Sequence, residues 1–158
     1  MAKQVYVFRA KLKGWHGVRR TIAMHCEHTL SDLHDALQTA FGWDDRHLYA
    51  FWLGGKFWAP GEVEYVHPLA LEDSPRAALG APLALPRRRT AERRLIDLRL
   101  ARGQRIAYVF DFREDWRVRL TLRELAADDG GHYPRVLESE GEAPAQYLDL
   151  DSDAREAA

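Results

Sequence analysis

Asparagine is missing from the sequence altogether, and cysteine occurs once, at Cys26. The first absence leaves no N-glycosylation sequon. The second excludes an internal disulfide framework and suits a reducing compartment. No apolar run approaches the ~20 residues needed to span a bilayer. The opening MAKQVYVF lacks the basic, apolar and small-residue sections of a signal peptide. The expected setting is the cytoplasm, with no membrane partner. There are four serines, none in a G-x-S-x-G setting, and neither a P-loop nor a G-x-G-x-x-G run occurs. The familiar nucleophilic and nucleotide-binding signatures are therefore absent, and no cofactor is expected.

What is present suffices for one domain. The chain has 158 residues, 46% hydrophobic and 11% aromatic, enough to build a core and to exclude global disorder. Its formal net charge of −1 hides two opposed blocks. From Arg87 to Arg105 eight arginines stand against Glu92 and Asp97, and from Glu138 to Glu156 seven carboxylates stand against Arg155. Of the 23 basic residues 19 are arginine. With asparagine absent, that excess reads first as a genome-composition effect.

Gln4–Lys13 alternates, with Tyr6, Phe8, Ala10 and Leu12 on one side and Arg9, Lys11 and Lys13 on the other. Period two with β-formers predicts a half-buried strand. Gly14–Gly17 makes a turn, and Val18–Met24 alternates again, so the two strands form an antiparallel hairpin. Thr29 then caps a helix whose stripe is Leu30, Leu33, Leu37 and Phe41, with Gly42 at the left-handed C-terminal position. Leu48–Leu53 and Lys56–Trp58 read as a second hairpin around Gly54-Gly55. Five of the seven prolines fall between residues 59 and 89, so about 59–90 is expected to be an irregular insert. A short helix is expected around Leu95, Ile96 and Leu98. Gln104–Phe112 and Trp116–Glu124 make a third hairpin over the Arg113-Glu114-Asp115 turn, the return strand alternating Val118, Leu120 and Leu122 with Arg117, Arg119, Thr121 and Arg123. Beyond Ala126 the chain reads as turn-like, and 151–158 as a disordered acidic tail. The expected architecture is a single α+β domain over 1–150, an antiparallel sheet of hairpins with one main amphipathic helix packed on a face.

Three stretches carry a resemblance: Val18-Arg-Arg-Thr-Ile22, the helix ending in Ala-Phe-Gly-Trp-Asp-Asp-Arg-His-Leu-Tyr49, and Tyr108-Val-Phe-Asp-Phe-Arg-Glu-Asp-Trp116. Taken together they resemble the plasmid pRiA ORF-three-like family, also described as the insertion-element passenger TnpR-like domain. The resemblance implies a fold and an association with plasmids and mobile elements, but no established activity. Two departures stand out. The family's glycine in the last strand turn is Arg113 here, and the family's Cys- and Pro-rich acidic segment after Tyr133-Pro134 is replaced by Ala143-Pro144-Ala145-Gln146.

The candidate polar site comprises Asp44, Asp45, His47, Asp111, Asp115 and Trp116. A carboxylate beside a histidine suits acid–base work or a cation, whereas the plainer reading is turn capping and a strand-start histidine. Asp111 interrupts an apolar strand and needs a partner if buried; Arg19 or Arg20 is the expected one. His25-Cys26-x-His28 lacks the second ligand pair of a zinc site, so no metal is assigned. The candidate nucleic-acid contacts are Arg87, Arg88, Arg89, Arg93 and Arg94, since clustered arginines meet phosphates. These features favour a small non-enzymatic binding or accessory module. A nucleic-acid-binding protein using Arg87–Arg105 is the first alternative, and a metal-dependent hydrolase using Asp44, His47, Asp111 and Asp115 the second. The partner is open between nucleic acid and another protein, with self-association through the opposed charge blocks a further option.

Overall fold

The computed structural model of the protein describes residues 4–44, 47–68, 70 and 87–146, with the side chain of Arg87 excluded. The tail at 151–158 and most of the proline-rich insert lie outside the described residues. Strands β1 (Gln4–Leu12) and β2 (Arg19–His25) pair antiparallel across the Gly14–Gly17 turn, as the alternation requires. Helix α1 (Leu30–Phe41) follows. Thr29 Oγ1 accepts from Asp32 N–H at 3.1 Å, and the Asp32 carboxylate accepts from Thr29 N–H at 2.9 Å, a reciprocal capping box. Gly42 closes the helix at φ 75°, where a side chain would be strained.

Six more strands complete the sheet: β3 (Tyr49–Trp52), β4 (Val63–Val66), β5 (Arg87–Thr90), β6 (Arg105–Phe110), β7 (Trp116–Ala127) and β8 (Arg135–Glu140). A short 3₁₀ turn at Leu95–Leu98 lies between β5 and β6. The strand order is β5-β4-β3-β6-β7-β1-β2-β8. Three expectations need correction. The sheet is mixed rather than antiparallel throughout, because β4 and β5 run parallel. Parallel neighbours need a crossover of roughly a dozen residues or more, and the chain from His67 to Pro86 supplies that length. The partner of β3 is β4, not Lys56–Trp58: Trp58 has φ 55° and packs its ring against Trp52 and Phe112. Residues 135–140 form an edge strand, not a turn-like end.

The sheet buries side chains on both faces, and that division positions the functional surface. On one face Leu30, Leu33, Leu37 and Phe41 of α1 pack against Tyr6, Phe8, Ile22, Tyr108, Phe110 and Leu120. Burying each such side chain is worth roughly 1.5–3 kcal/mol before entropy. On the other face two small apolar clusters form, one around Trp52, Ala59 and Val109 and one around Val5, Val7 and Ala23. Beneath the helix lies a polar network. His34 Nδ1 is 2.7 Å from the Tyr108 hydroxyl, which also accepts from Gln38 Nε2 at 3.0 Å. The His34 ring stacks on Tyr49 at 3.7 Å. Burial, with a smaller contribution from His67, pushes the His34 imidazole down to about 3. Burial likewise holds the Tyr108 hydroxyl well above its ordinary value.

Candidate functional site

His47 and Asp111 meet where the entry to β3 reaches the β6–β7 turn, while Asp44 and Trp116 both bond to Gln146; Asp45 lies outside the described residues. Asp111 is buried and sits at φ 58°, a left-handed conformation that aspartate tolerates better than most residues. Its Oδ1 accepts from the N–H groups of Arg113 and Glu114 at 3.2 and 3.3 Å, and its Oδ2 lies 3.5 Å from His47 Nε2. The partner is therefore His47 and the turn backbone. Arg19 pairs instead with Glu140. Arg20 is buried beside α1, where Nε donates to Ala40 O at 2.9 Å and Nη1 donates to Glu140 O at 2.8 Å.

Asp115 turns away from that pair. Its carboxylate accepts from Arg117 at 2.9 Å and from Trp58 Nε1 at 3.0 Å. Burial pushes the Asp115 carboxyl up, but the hydrogen bonds from Arg117 and Trp58 outweigh it and leave the group below its usual range. Of the proposed ligand set, His47 and Asp111 approach each other, at 3.5 Å. Among the described residues no three His, Cys, Asp or Glu side chains converge as metal ligands. Positive φ falls on Asp111 and Asp115, not on Arg113, so the arginine in place of the family's glycine meets no backbone conflict.

The tryptophans clamp the chain's later segment. Trp43 stacks between Phe41 and Phe110, at 5.1 and 5.7 Å, and meets Trp116 at 5.1 Å. Trp43 Nε1 donates to Pro144 O and Trp116 Nε1 to Gln146 O, each at 3.1 Å. Asp44 N–H donates to the Gln146 side chain at 3.1 Å. The Phe-Gly-Trp-Asp run therefore ends a helix and fastens 143–146 across the core.

The Arg87–Arg105 block does not form one face. Arg87 opens β5. Arg88 is tied to Glu64 at 3.3 Å and to Ala70 O at 3.1 Å. Arg89 is exposed, whereas Arg93 is half-buried and accepts Leu30 N–H on its carbonyl at 3.1 Å. Arg94 pairs with Asp97 at 3.1 Å. Where they are described, the two charge blocks also stand apart: β5 is one end of the strand order, and Glu138 and Glu140 lie on β8 at the other.

Another basic surface was not singled out by the sequence reading. Registers across β6, β7, β1, β2 and β8 align Arg105–Thr121–Arg9–Thr21–Glu138 in one row and Ala107–Arg119–Lys11–Arg19–Glu140 in the next. Both rows lie on the face away from α1, because the alternate residues Phe8, Ala10, Ile22 and Leu120 face the helix. Neighbouring strands are ~4.8 Å apart, so these side chains crowd. The cations of Lys13, Arg117 and Arg119 all lie over the Phe57 ring, at 5.1, 5.6 and 5.4 Å. Arg117 has Asp115 and Arg19 has Glu140. Arg9, Lys11, Lys13 and Arg119 have no carboxylate partner among the described residues. Beside them the β1–β2 turn opens a cleft of about 650 Å³ lined by Lys11, Lys13, Trp15, Arg19 and Arg119.

Fold and surface together define a small α+β protein with a mixed eight-stranded sheet, a helix on one face and a basic patch on the other. The chain belongs to the plasmid pRiA4b ORF-3-like protein family, whose model matches residues 4–149. Its fold is shared with a crystal structure described as a protein of unknown function from Methanosarcina mazei Go1, at a TM-score of 0.67 and 20% identity over 92% of this chain and 74% of that one. No curated protein matches the chain. No helix among the described residues is long and apolar enough to cross a membrane.

Proposed function

We propose that this protein is a non-enzymatic binding module whose outer sheet face takes up polyanions, with the phosphate backbone of nucleic acid as the ligand. The observation that carries this reading is the pair of cross-strand rows with the adjoining Lys13: Arg9, Lys11, Lys13 and Arg119 lack carboxylate partners among the described residues. Like charges held this close repel one another, and a bound anion relieves that repulsion while releasing its own counterions. The carboxylates of the other candidate site support the same reading, since Asp111 is engaged by the turn backbone and Asp115 by Arg117 and Trp58. The plasmid in the family's description is in keeping with an accessory role in mobile-element biology.

The test is a salt titration of binding to a fluorescently labelled oligonucleotide, followed by anisotropy. With four cations engaged, log K against log salt falls with a slope of about −3 on single strands. A protein that leaves the oligonucleotide free at ~50 mM salt, or binds it with a slope near zero, refutes the proposal.

A further inference from the structure

Resting on that reading, we infer that the cleft beside the β1–β2 turn selects single-stranded nucleic acid by stacking one unpaired base on Trp15. Trp15 is one of the few large apolar side chains left open to solvent, 36% exposed, and it belongs to none of the three apolar clusters. Its ring leans on Trp116 at 6.2 Å with 42° between the planes, so it is braced from one side while the residue still lines the open cleft. The turn that carries it has glycines at both ends with φ 86° and 81°, and the Trp15 N–H is fixed to Leu12 O at 3.3 Å.

The surroundings decide what that ring would meet. Lys11, Lys13, Arg19 and Arg119 line the same cleft, so a planar group stacked on Trp15 would have cations within reach on the cleft wall. An apolar ligand would leave Lys11, Lys13 and Arg119 desolvated without a carboxylate partner, which is costly. A duplex hides its bases in the stack and presents phosphates alone. A single strand supplies both an unpaired π-face and phosphates, the pairing that single-strand binding surfaces use.

The experiment compares a labelled oligothymidylate with an abasic oligomer of the same length and charge, at one salt concentration. The variants are Trp15→Ala and Trp15→Phe. The intact protein should bind the thymidylate about tenfold more tightly than the abasic strand, as expected for one base–aromatic stack. Trp15→Ala should lose that preference while keeping its affinity for the abasic strand and its salt slope; Trp15→Phe should retain most of it. Equal affinity of the intact protein for both strands, or a preference that survives Trp15→Ala, overturns the inference while leaving polyanion binding in place. Failure to bind either strand overturns both.

Discussion

The buried imidazole of His34 makes stability depend on pH in a calculable way. In the folded protein it is held to about 3, against 6.5 for the ordinary group. The unfolded chain therefore takes up a proton below pH 6.5 that the folded chain refuses. The stability owed to the neutral ring is complete above that pH and is lost progressively as the pH falls toward 3. At pH 5 the loss from this one group is about 2 kcal/mol, with a ceiling of about 5 kcal/mol below pH 3. Asparagine at position 34 removes the titration and keeps an acceptor for the Tyr108 hydroxyl, although the stack on Tyr49 is lost. His34→Asn should thus be less stable at pH 8, yet lose about 2 kcal/mol less than the parent between pH 8 and pH 5. Urea unfolding of both proteins at the two pH values measures this. Equal losses would refute the reasoning, as would an NMR titration placing His34 near 6.5.

Three further outcomes follow from contacts in the fold. Thr29→Ala removes one arm of the capping box and should cost about 1 kcal/mol in the same urea assay; no change would show that the helix start is held by other contacts. Trp43→Phe and Trp116→Phe each delete one N–H donated to the 144–146 segment, at a cost of about 1 kcal/mol. Hydrogen exchange should show faster exchange over 143–146, and unchanged protection would contradict the clamp. Restoring the family's glycine with Arg113→Gly should lower stability by about 0.5–1 kcal/mol, because position 113 does not need positive φ and glycine frees the unfolded chain. A gain in stability would mean that the turn does require it.

Local signals in the sequence carried the fold where each element advertises itself. The capping box at Thr29, the Leu30–Phe41 stripe and the alternation of β1 and β7 all follow from period and cap chemistry, and the structure has them. β8 was hidden because it is an exposed edge strand: Val136 and Leu137 are adjacent and both open to solvent, so no period of two marks it. The β4–β5 pairing was hidden because a parallel partner is set by a crossover, which leaves no turn signature. The basic face was half legible. Arg9, Lys11 and Lys13, and likewise Arg117 and Arg119, read correctly as the polar sides of two strands. That the strands are neighbours, more than 100 residues apart in sequence, is a fact of pairing that alternation within either strand does not contain. The Arg87–Arg105 block misleads for the opposite reason: its members are close in sequence, but β5, the 3₁₀ turn and the contact with α1 send them in different directions.

The central claim is that the cations that matter are those aligned by strand pairing, not those clustered in sequence. Its most direct test compares two triple variants by salt-titrated anisotropy on the same single-stranded oligonucleotide. One is Arg9→Ser with Lys11→Ser and Arg119→Ser; the other is Arg89→Ser with Arg93→Ser and Arg94→Ser. The outer-face variant should lose about 2 from the magnitude of the salt slope, at ~0.7 per phosphate contact, and most of its affinity, while the second should bind like the parent. The reverse outcome, with the outer-face variant binding normally and the other failing, would contradict the account.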